Sequence, residues 1–288
     1  VNSVMKDLSE VEVRFAFAFP DVYDIGMAHL GIQILYDMLN SWSDVWCERV
    51  YSPWPDLDRI MRYRGIPLFT LESQDPVRDF DFLGITLQYE MCYTNVLQVL
   101  DLSGIPLLAG ERTEEDPVVI GGGPCAYNPE PIADFFDLFF LGEGEELDLE
   151  VMDLYVKMKE QGATRSEFLR AAAQIEGVYV PSLYDIAYNS DGTVQSITPK
   201  DGAPATVRKR IIGDFDKCFA PEEFVVPFSE IVHDRAVTEV LRGCIRGCRF
   251  CQAGFLYRPF REKTPETVCK QARKLIDSTG YSTADRKA

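Results

Sequence analysis

The chain has no uninterrupted apolar run of the roughly 18 to 20 residues needed to span a bilayer, and no charged, apolar, small-residue leader pattern at its start. It carries no internal repeat and no low-complexity tract. Basic side chains are scarce: 29 Lys and Arg stand against 46 Asp and Glu, a formal net charge of −17. A surface so short of cations repels phosphate backbones and anionic lipid, which excludes nucleic acid and membrane as expected partners of this stretch. A signal for export is also missing, and three of the eight cysteines crowd one short window. Such clustering argues for metal ligation in a reducing, cytoplasmic compartment rather than for a disulfide framework.

With 288 residues, 46% of them hydrophobic, the chain can bury a substantial core. Val13, Phe15, Phe17 and Phe19 alternate with Arg14, Ala16 and Ala18, the two-residue period of a strand. After a loop, Leu30, Ile34, Leu35, Met38 and Leu39 mark one helical face. The alternation continues with strands near 44–50, 82–87, 118–120 and 137–141, and helices near 56–64, 89–102 and after Leu147. It predicts an α/β fold with a doubly wound parallel sheet over residues 1–176. Short β-rich runs follow, with a hairpin expected around Asn189-Ser190-Asp191-Gly192, and a linker over 214–227. Residues 177–236 are read as a β-rich connector and 237–288 as a third unit.

That third unit opens with a strand-like run, Val237 to Leu241, and leads through a cysteine loop to a helix. Thr264 suits the N-cap, Pro265 the first helical position and Gly280 the C-terminal stop, with Val268, Ala272, Leu275 and Ile276 as the buried face. The polar stretch 282–288 does not resemble a second strand. A complete β/α barrel takes about 200 residues or more, so the chain, which opens at Val1 and stops at Ala288, is read as a fragment unable to close one.

The loop reads Cys244-Ile245-Arg246-Gly247-Cys248-Arg249-Phe250-Cys251, spacing C-x3-C-x2-C. A cubane cluster normally takes four thiolates, so three from one loop leave one iron open to a substrate or cofactor. Gly243 and Gly247 allow the loop to fold tightly, and Arg246 and Arg249 offset thiolate charge. Zinc is the competing occupant, although it prefers four tetrahedral ligands and C-x2-C pairs. Cys47, Cys92, Cys125, Cys218 and Cys269 are isolated and are expected to be small buried hydrophobes.

In doubly wound sheets, ligands gather outside the carboxyl ends of the strands. The loops expected there carry Asp21, Tyr23 and Gly26 after the first strand, Gln88 after the third, Gly121-Gly122-Gly123-Pro124 after the fourth, and Gly142-Glu143-Gly144-Glu145 after the fifth. The glycines read either as turn residues or as places of close backbone approach to a ligand. Glu143 and Glu145 read either as acids favoured at a helix N-terminus or as acceptors for a cofactor amide or ribose.

The cysteine spacing, Phe250 just before the third cysteine and the preceding strand resemble the radical S-adenosylmethionine superfamily. That resemblance implies that Cys244, Cys248 and Cys251 ligate a 4Fe-4S cluster, and that Phe250 lies on the adenine side of S-adenosylmethionine. The open iron would chelate that cofactor, whose cleavage gives a 5′-deoxyadenosyl radical. It also implies a reducing partner such as flavodoxin or ferredoxin. The glycine-rich loops at 121–124 and 142–145 resemble the cobalamin-binding domain that precedes many radical barrels, over most of residues 12–155. The D-x-H-x-x-G motif of the mutase type is absent, since His29 is followed by Leu30-Gly31 and Asp24 lies five residues before it. His29 is therefore expected to face the start of a helix rather than cobalt, and His233 has no partner legible in the sequence. Methyl transfer or a radical rearrangement is the implied chemistry, with a non-catalytic redox or partner-binding module as the alternative.

Overall fold

The computed structural model describes residues 1–288 except 234, 282, 283 and 288, with the backbone alone at 284–287. Six strands form the main sheet: β1 (Val13–Phe19), β2 (Val45–Tyr51), β3 (Phe82–Thr86), β4 (Val118–Gly122), β5 (Leu138–Phe140) and β6 (Val178–Tyr179). Their spatial order is β2-β1-β3-β4-β5-β6, parallel throughout except that β6 runs antiparallel to β5. The expectation of an all-parallel sheet is corrected at that edge. Two residues paired in register Phe139↔Tyr179 and Phe140↔Val178 are too short a segment to show a strand period in sequence.

Strand β1 shows why the alternating pattern undersells its burial. Its Phe side chains fill one face, yet Ala16 and Ala18 on the other are equally inaccessible, because helices cover both faces of a parallel sheet. Phe15 fits because β3 carries Gly84 beside it, where a Cβ would lie 2.5 Å from the Phe15 ring. Four further helices of this half, α1 (Tyr23–Gly26), α2 (Leu30–Asn40), α3 (Pro55–Arg64) and α4 (Tyr93–Ser103), precede α5 (Gly144–Glu160) and α6 (Arg165–Ala172).

Helix α2 is buried on more than the one face that its spacing suggests. Ile32, Tyr36, Met38 and Leu39 belong to the sheet core, whereas Leu30 and Ile34 pack with Phe224, Ala236 and Leu275 in a second apolar cluster. This helix therefore joins the sheet to the C-terminal part of the chain. Each large apolar side chain buried at such a seam contributes about 1.5 to 3 kcal/mol.

The hairpin is β7 (Tyr184–Tyr188) with β8 (Val194–Pro199). Beyond it come β9 (Ala236–Glu239), β10 (Leu241–Arg242), α7 (Ala253–Leu256), β11 (Arg261–Glu262), α8 (Pro265–Thr279) and β12 (Ala284–Lys287). Helix α8 has the expected ends: Thr264 accepts from the Thr267 amide, Pro265 opens it, and Gly280 closes it at φ 75°.

One expectation about the C-terminus is overturned. Strand β12 pairs parallel with β9, Ala284↔Ala236 through Lys287↔Glu239, so β9, α8 and β12 form a parallel β-α-β unit. Its polar composition concealed it, because the partner strand lies far upstream and pairing is made by backbone groups. Ser282, Thr283 and Ala288 of the same expected stretch lie outside the described residues.

Candidate functional site

The cysteine loop occupies residues 243–260 and is closed at its base by β10 and β11, antiparallel with Leu241↔Glu262 and Arg242↔Arg261. Gly243 starts the loop at φ 92°, and a Cβ there would lie 2.7 Å from the Tyr257 carbonyl oxygen and 2.8 Å from that of Pro259. Only glycine fits. Gly247, by contrast, faces open space.

Within the loop Cys244 and Cys251 are half-buried and Cys248 is exposed. The Arg246 amide donates to Cys244 Sγ at 3.4 Å, and the Cys251 amide donates to the Cys248 carbonyl at 3.1 Å. The donor set, three cysteine sulphurs on one loop, suits an iron-sulphur cluster. Among the described residues no group of three or more Cys, His, Asp or Glu side chains is gathered as a metal-binding set. The loop thus supplies three thiols on one stretch of chain without drawing them together. Phe250 is 92% exposed, and the neighbouring Ile245 and Phe255 also face outward.

The stem of the loop is pinned to the carboxyl end of the sheet. Arg261 Nη1 donates to Glu143 Oε2 at 2.9 Å, its Nη2 reaches Glu143 Oε1, and Arg242 lies 3.5 Å from Glu143 and also pairs with Glu145. Arg242 Nε further donates to Glu239 at 2.7 Å. Beneath both guanidinium groups lies the buried Phe215 ring, 5.0 Å from Arg242 and 5.5 Å from Arg261. Burial pushes the Glu143 carboxyl up, but the Arg261 hydrogen bond, the Ile212 amide and the charge of Arg242 together hold it below its ordinary range. Burial would lower Arg242, and the carboxylates of Glu145 and Glu239 more than reverse that.

A strap over residues 209–212 completes the join. Arg210 bridges to Gly142, Lys209 Nζ donates to the Leu256 carbonyl at 2.9 Å and to that of Arg258, and the Ile212 amide donates to Glu143 at 2.6 Å. Gly142, at φ 115°, permits the bridge, since a Cβ would sit 2.2 Å from the Arg210 carbonyl oxygen.

The other expected positions divide. Asp21 accepts from the Tyr89 hydroxyl, which links the loops after β1 and β3 across the point where the strand order reverses. Tyr23 packs against Tyr51 and Phe228, and its hydroxyl accepts from the Phe228 amide at 3.4 Å. A Cβ on Gly26 would strike Tyr51, one on Gly121 would strike Phe139, and one on Gly144 would strike Asp148, so protein packing accounts for these three. Gln88 donates to Thr86 at 2.6 Å and borders Gly123, which sits at φ 100°. Only Gly122 of this group has open space around its missing side chain. The same edge carries Tyr93 at the start of α4, and Cys125 and Tyr127 shortly after β4. Burial pushes Cys125 up to about 11 and Tyr127 up to about 12, the latter also under the charges of Glu143 and of Tyr257 from the cysteine loop.

His29 caps α2, its Nδ1 accepting from the Ile32 amide at 3.3 Å, as the sequence implied. His233 lies 3.3 Å from Arg235. Of the isolated cysteines, Cys47, Cys92 and Cys125 are buried and Cys218 half-buried, whereas Cys269 is exposed, contrary to its expected burial; it lies on the outer face of α8. Sequence reasoning missed Arg242, Arg261, Phe215 and Lys209 as parts of the site. The one available signal was an arginine on each flank of the cysteine loop, and their cross-strand pairing has no local signature.

No helix among the described residues is long and apolar enough to cross a membrane. The family model described as "Radical SAM proteins, N-terminal" matches residues 31–181. An uncharacterised protein of Methanocaldococcus jannaschii, MJ0966, is 27% identical over 252 residues, 85% of this chain and 42% of its own length. Two structures of TsrM from Kitasatospora setae share the fold at 13% identity. One, bound to cobalamin and a [4Fe-4S] cluster, has a TM-score of 0.53 over 95% of this chain and 47% of its own. The other, bound to tryptophan and a S-adenosylmethionine analogue, has a TM-score of 0.51 over 96% and 47%. The chain spans less than half the length of these relatives.

Proposed function

Because the chain belongs to the family of radical SAM proteins that this N-terminal domain defines, we propose that it carries the cluster loop and a cobalamin-binding-like domain of a radical S-adenosylmethionine enzyme. In this reading residues 1–176 form the cobalamin-binding-like domain, 177–236 the connector and 237–288 the start of the radical barrel. Cys244, Cys248 and Cys251 would hold a 4Fe-4S cluster, and Phe250 would lie against the adenine of S-adenosylmethionine. The observation that carries the reading is the loop itself: three thiols at C-x3-C-x2-C spacing, on a stem that ion pairs fix against the carboxyl edge of the sheet.

When bound, the cluster supplies the electron that cleaves S-adenosylmethionine to a 5′-deoxyadenosyl radical, and cobalamin supplies methyl transfer or steers a rearrangement. The chain's own residues have simpler tasks. Gly243 sets the loop's departure from the sheet edge, and the Arg246 amide, donating to Cys244 Sγ, fixes the turn between the first two cysteines. Arg242 and Arg261, held by Glu143 and Glu145, tie the loop to the sheet edge that carries Gly122, Gln88, Tyr127 and the Asp21–Tyr89 pair. Those residues line the place where cobalamin would lie, with His29 engaged as a helix cap and not as a cobalt ligand. A low-potential flavodoxin or ferredoxin is the fitting electron donor in a reducing cytoplasm. TsrM, a radical S-adenosylmethionine methyltransferase of the same fold that binds both cofactors, supports the pairing of the two.

Anaerobic reconstitution with iron and sulphide, beside a variant with Cys244, Cys248 and Cys251 all changed to Ala, tests the proposal. A reduced-cluster paramagnetic resonance signal that needs the three cysteines and shifts with S-adenosylmethionine is expected. Stoichiometric zinc without a cluster would sink it. A cysteine-dependent cluster indifferent to S-adenosylmethionine would favour the redox-module alternative.

A further inference from the structure

Helix α3 is tied to α4 through Asp58–Gln98 and Arg62–Asp101, and it turns an apolar stripe outward. Leu57 is 45% exposed, Ile60 53% and Tyr63 83%, with Trp54 and Ile66 exposed just beyond the two ends. Five large apolar side chains on one short element are more than the single exposed hydrophobes that any surface carries. The helix is sharply bounded, by Pro55 at its start and by Gly65, at φ 63°, after its end. Ile60 is the midpoint of the stretch from Trp54 to Ile66.

The order of residues about that midpoint is self-complementary. In an antiparallel pair of α3 helices related by a two-fold axis through Ile60, Leu57 faces Tyr63 of the second copy and Trp54 faces Ile66. Asp56 faces Arg64, one in the acidic first turn and the other in the basic last turn. Arg64 has no acidic partner among the described residues and rests near the Tyr63 ring, 5.6 Å from its centroid. The other symmetric charges, Asp58 and Arg62, are already satisfied within the chain at 2.6 Å, and Arg62 also pairs with Asp101. An isologous contact requires that each patch match itself in this way. We infer that the α3 face binds a second copy of this chain, with Ile60 on the two-fold axis and Asp56 paired to Arg64 on each side.

One helix pair buries less than the roughly 800 Å² per partner of a standard interface, so the dimer is weak and forms reversibly at about 1 to 100 µM. Sedimentation equilibrium of the 288-residue chain in reducing buffer tests this. The average mass should rise with concentration from 32.6 kDa toward twice that. Ile60→Asp should weaken association by tenfold or more, and Asp56→Arg or Arg64→Asp alone by about fivefold through like-charge contacts. The double variant Asp56→Arg, Arg64→Asp should return to within about twofold of the native chain. All three positions are exposed, and unchanged circular dichroism confirms that each variant folds. A monomer across the whole range overturns the inference. So does a dimer indifferent to Ile60→Asp, or a double variant that fails to recover.

Discussion

Arg261 and Glu143 are 118 positions apart in the chain, yet Nη1 of one lies 2.9 Å from Oε2 of the other, at the junction of the cysteine-loop stem and the sheet edge. Both side chains are about 15% exposed, so the charges are largely removed from water and depend on each other. Removing one partner strands the other. Glu143→Ala should cost about 2 to 4 kcal/mol, and a double-mutant cycle with Arg261→Ala should return a coupling energy of similar order. Urea unfolding measures both, and additive single effects would contradict the pair.

The same pair sets an acid limit. Glu143 is held below its ordinary range in the folded chain, so its contribution is present above the unfolded carboxylate value of about 4.3 and is lost as pH falls through the lower folded value. Native protein should therefore lose more stability between about pH 5 and pH 3 than Glu143→Gln does. Urea midpoints recorded across that window decide it.

Asp148 has the opposite sign. It is buried in the first turns of α5, and desolvation, with the Glu145 charge beside it, pushes it up to about 8. An unfolded Asp titrates near 3.9, so the folded chain holds an extra proton between about pH 4 and pH 8 and its stability falls as pH rises through that range. Asp148→Asn should match the native chain near pH 5 and exceed it at pH 8 by a difference on the order of 3 kcal/mol. Parallel losses in the two proteins would refute this.

What the sequence made legible follows the range of the forces involved. Strand β1 was readable to its ends because its period is written in consecutive residues. Helix α8 was readable because Thr264, Pro265 and Gly280 are local signals. The cysteine loop was readable because its donors sit within eight residues. Strand β12, the antiparallel β6 and the Arg242–Glu145 pair depend on partners dozens of residues away, and their own residues carry no pattern that announces them. Glu143 and Glu145 show the limit most clearly: they stand at the start of α5, as one of the two sequence readings had it, but their pairing with arginines of the loop stem was in neither.

Two loop glycines should behave differently. Gly243→Ala forces a Cβ to within 2.8 Å of backbone atoms at a positive φ, which should cost about 1 to 3 kcal/mol and lower the iron retained per chain. Gly247→Ala meets open space and should retain iron like the native loop. Iron analysis after reconstitution compares them, and equal retention would show that the stem conformation does not govern cluster binding.

Gly122 gives the most direct test of the cobalamin reading, because it separates folding from ligand binding. Its neighbours Gly121 and Gly123 are tied to protein contacts, Phe139 for one and the Leu87 backbone for the other, so substituting them would damage the sheet whatever binds beside it. Nothing lies within 4 Å of a Cβ at Gly122, which closes β4 at the carboxyl edge. Gly122→Val should therefore leave the thermal midpoint within about 2 °C of native, since branched residues suit a strand end. The added methyl groups would occupy the space into which a flat ligand must settle, and cobalamin affinity should fall about tenfold or more, read from the absorbance of bound cofactor after gel filtration. Native affinity in a stable Gly122→Val chain would place any cobalamin away from this sheet edge.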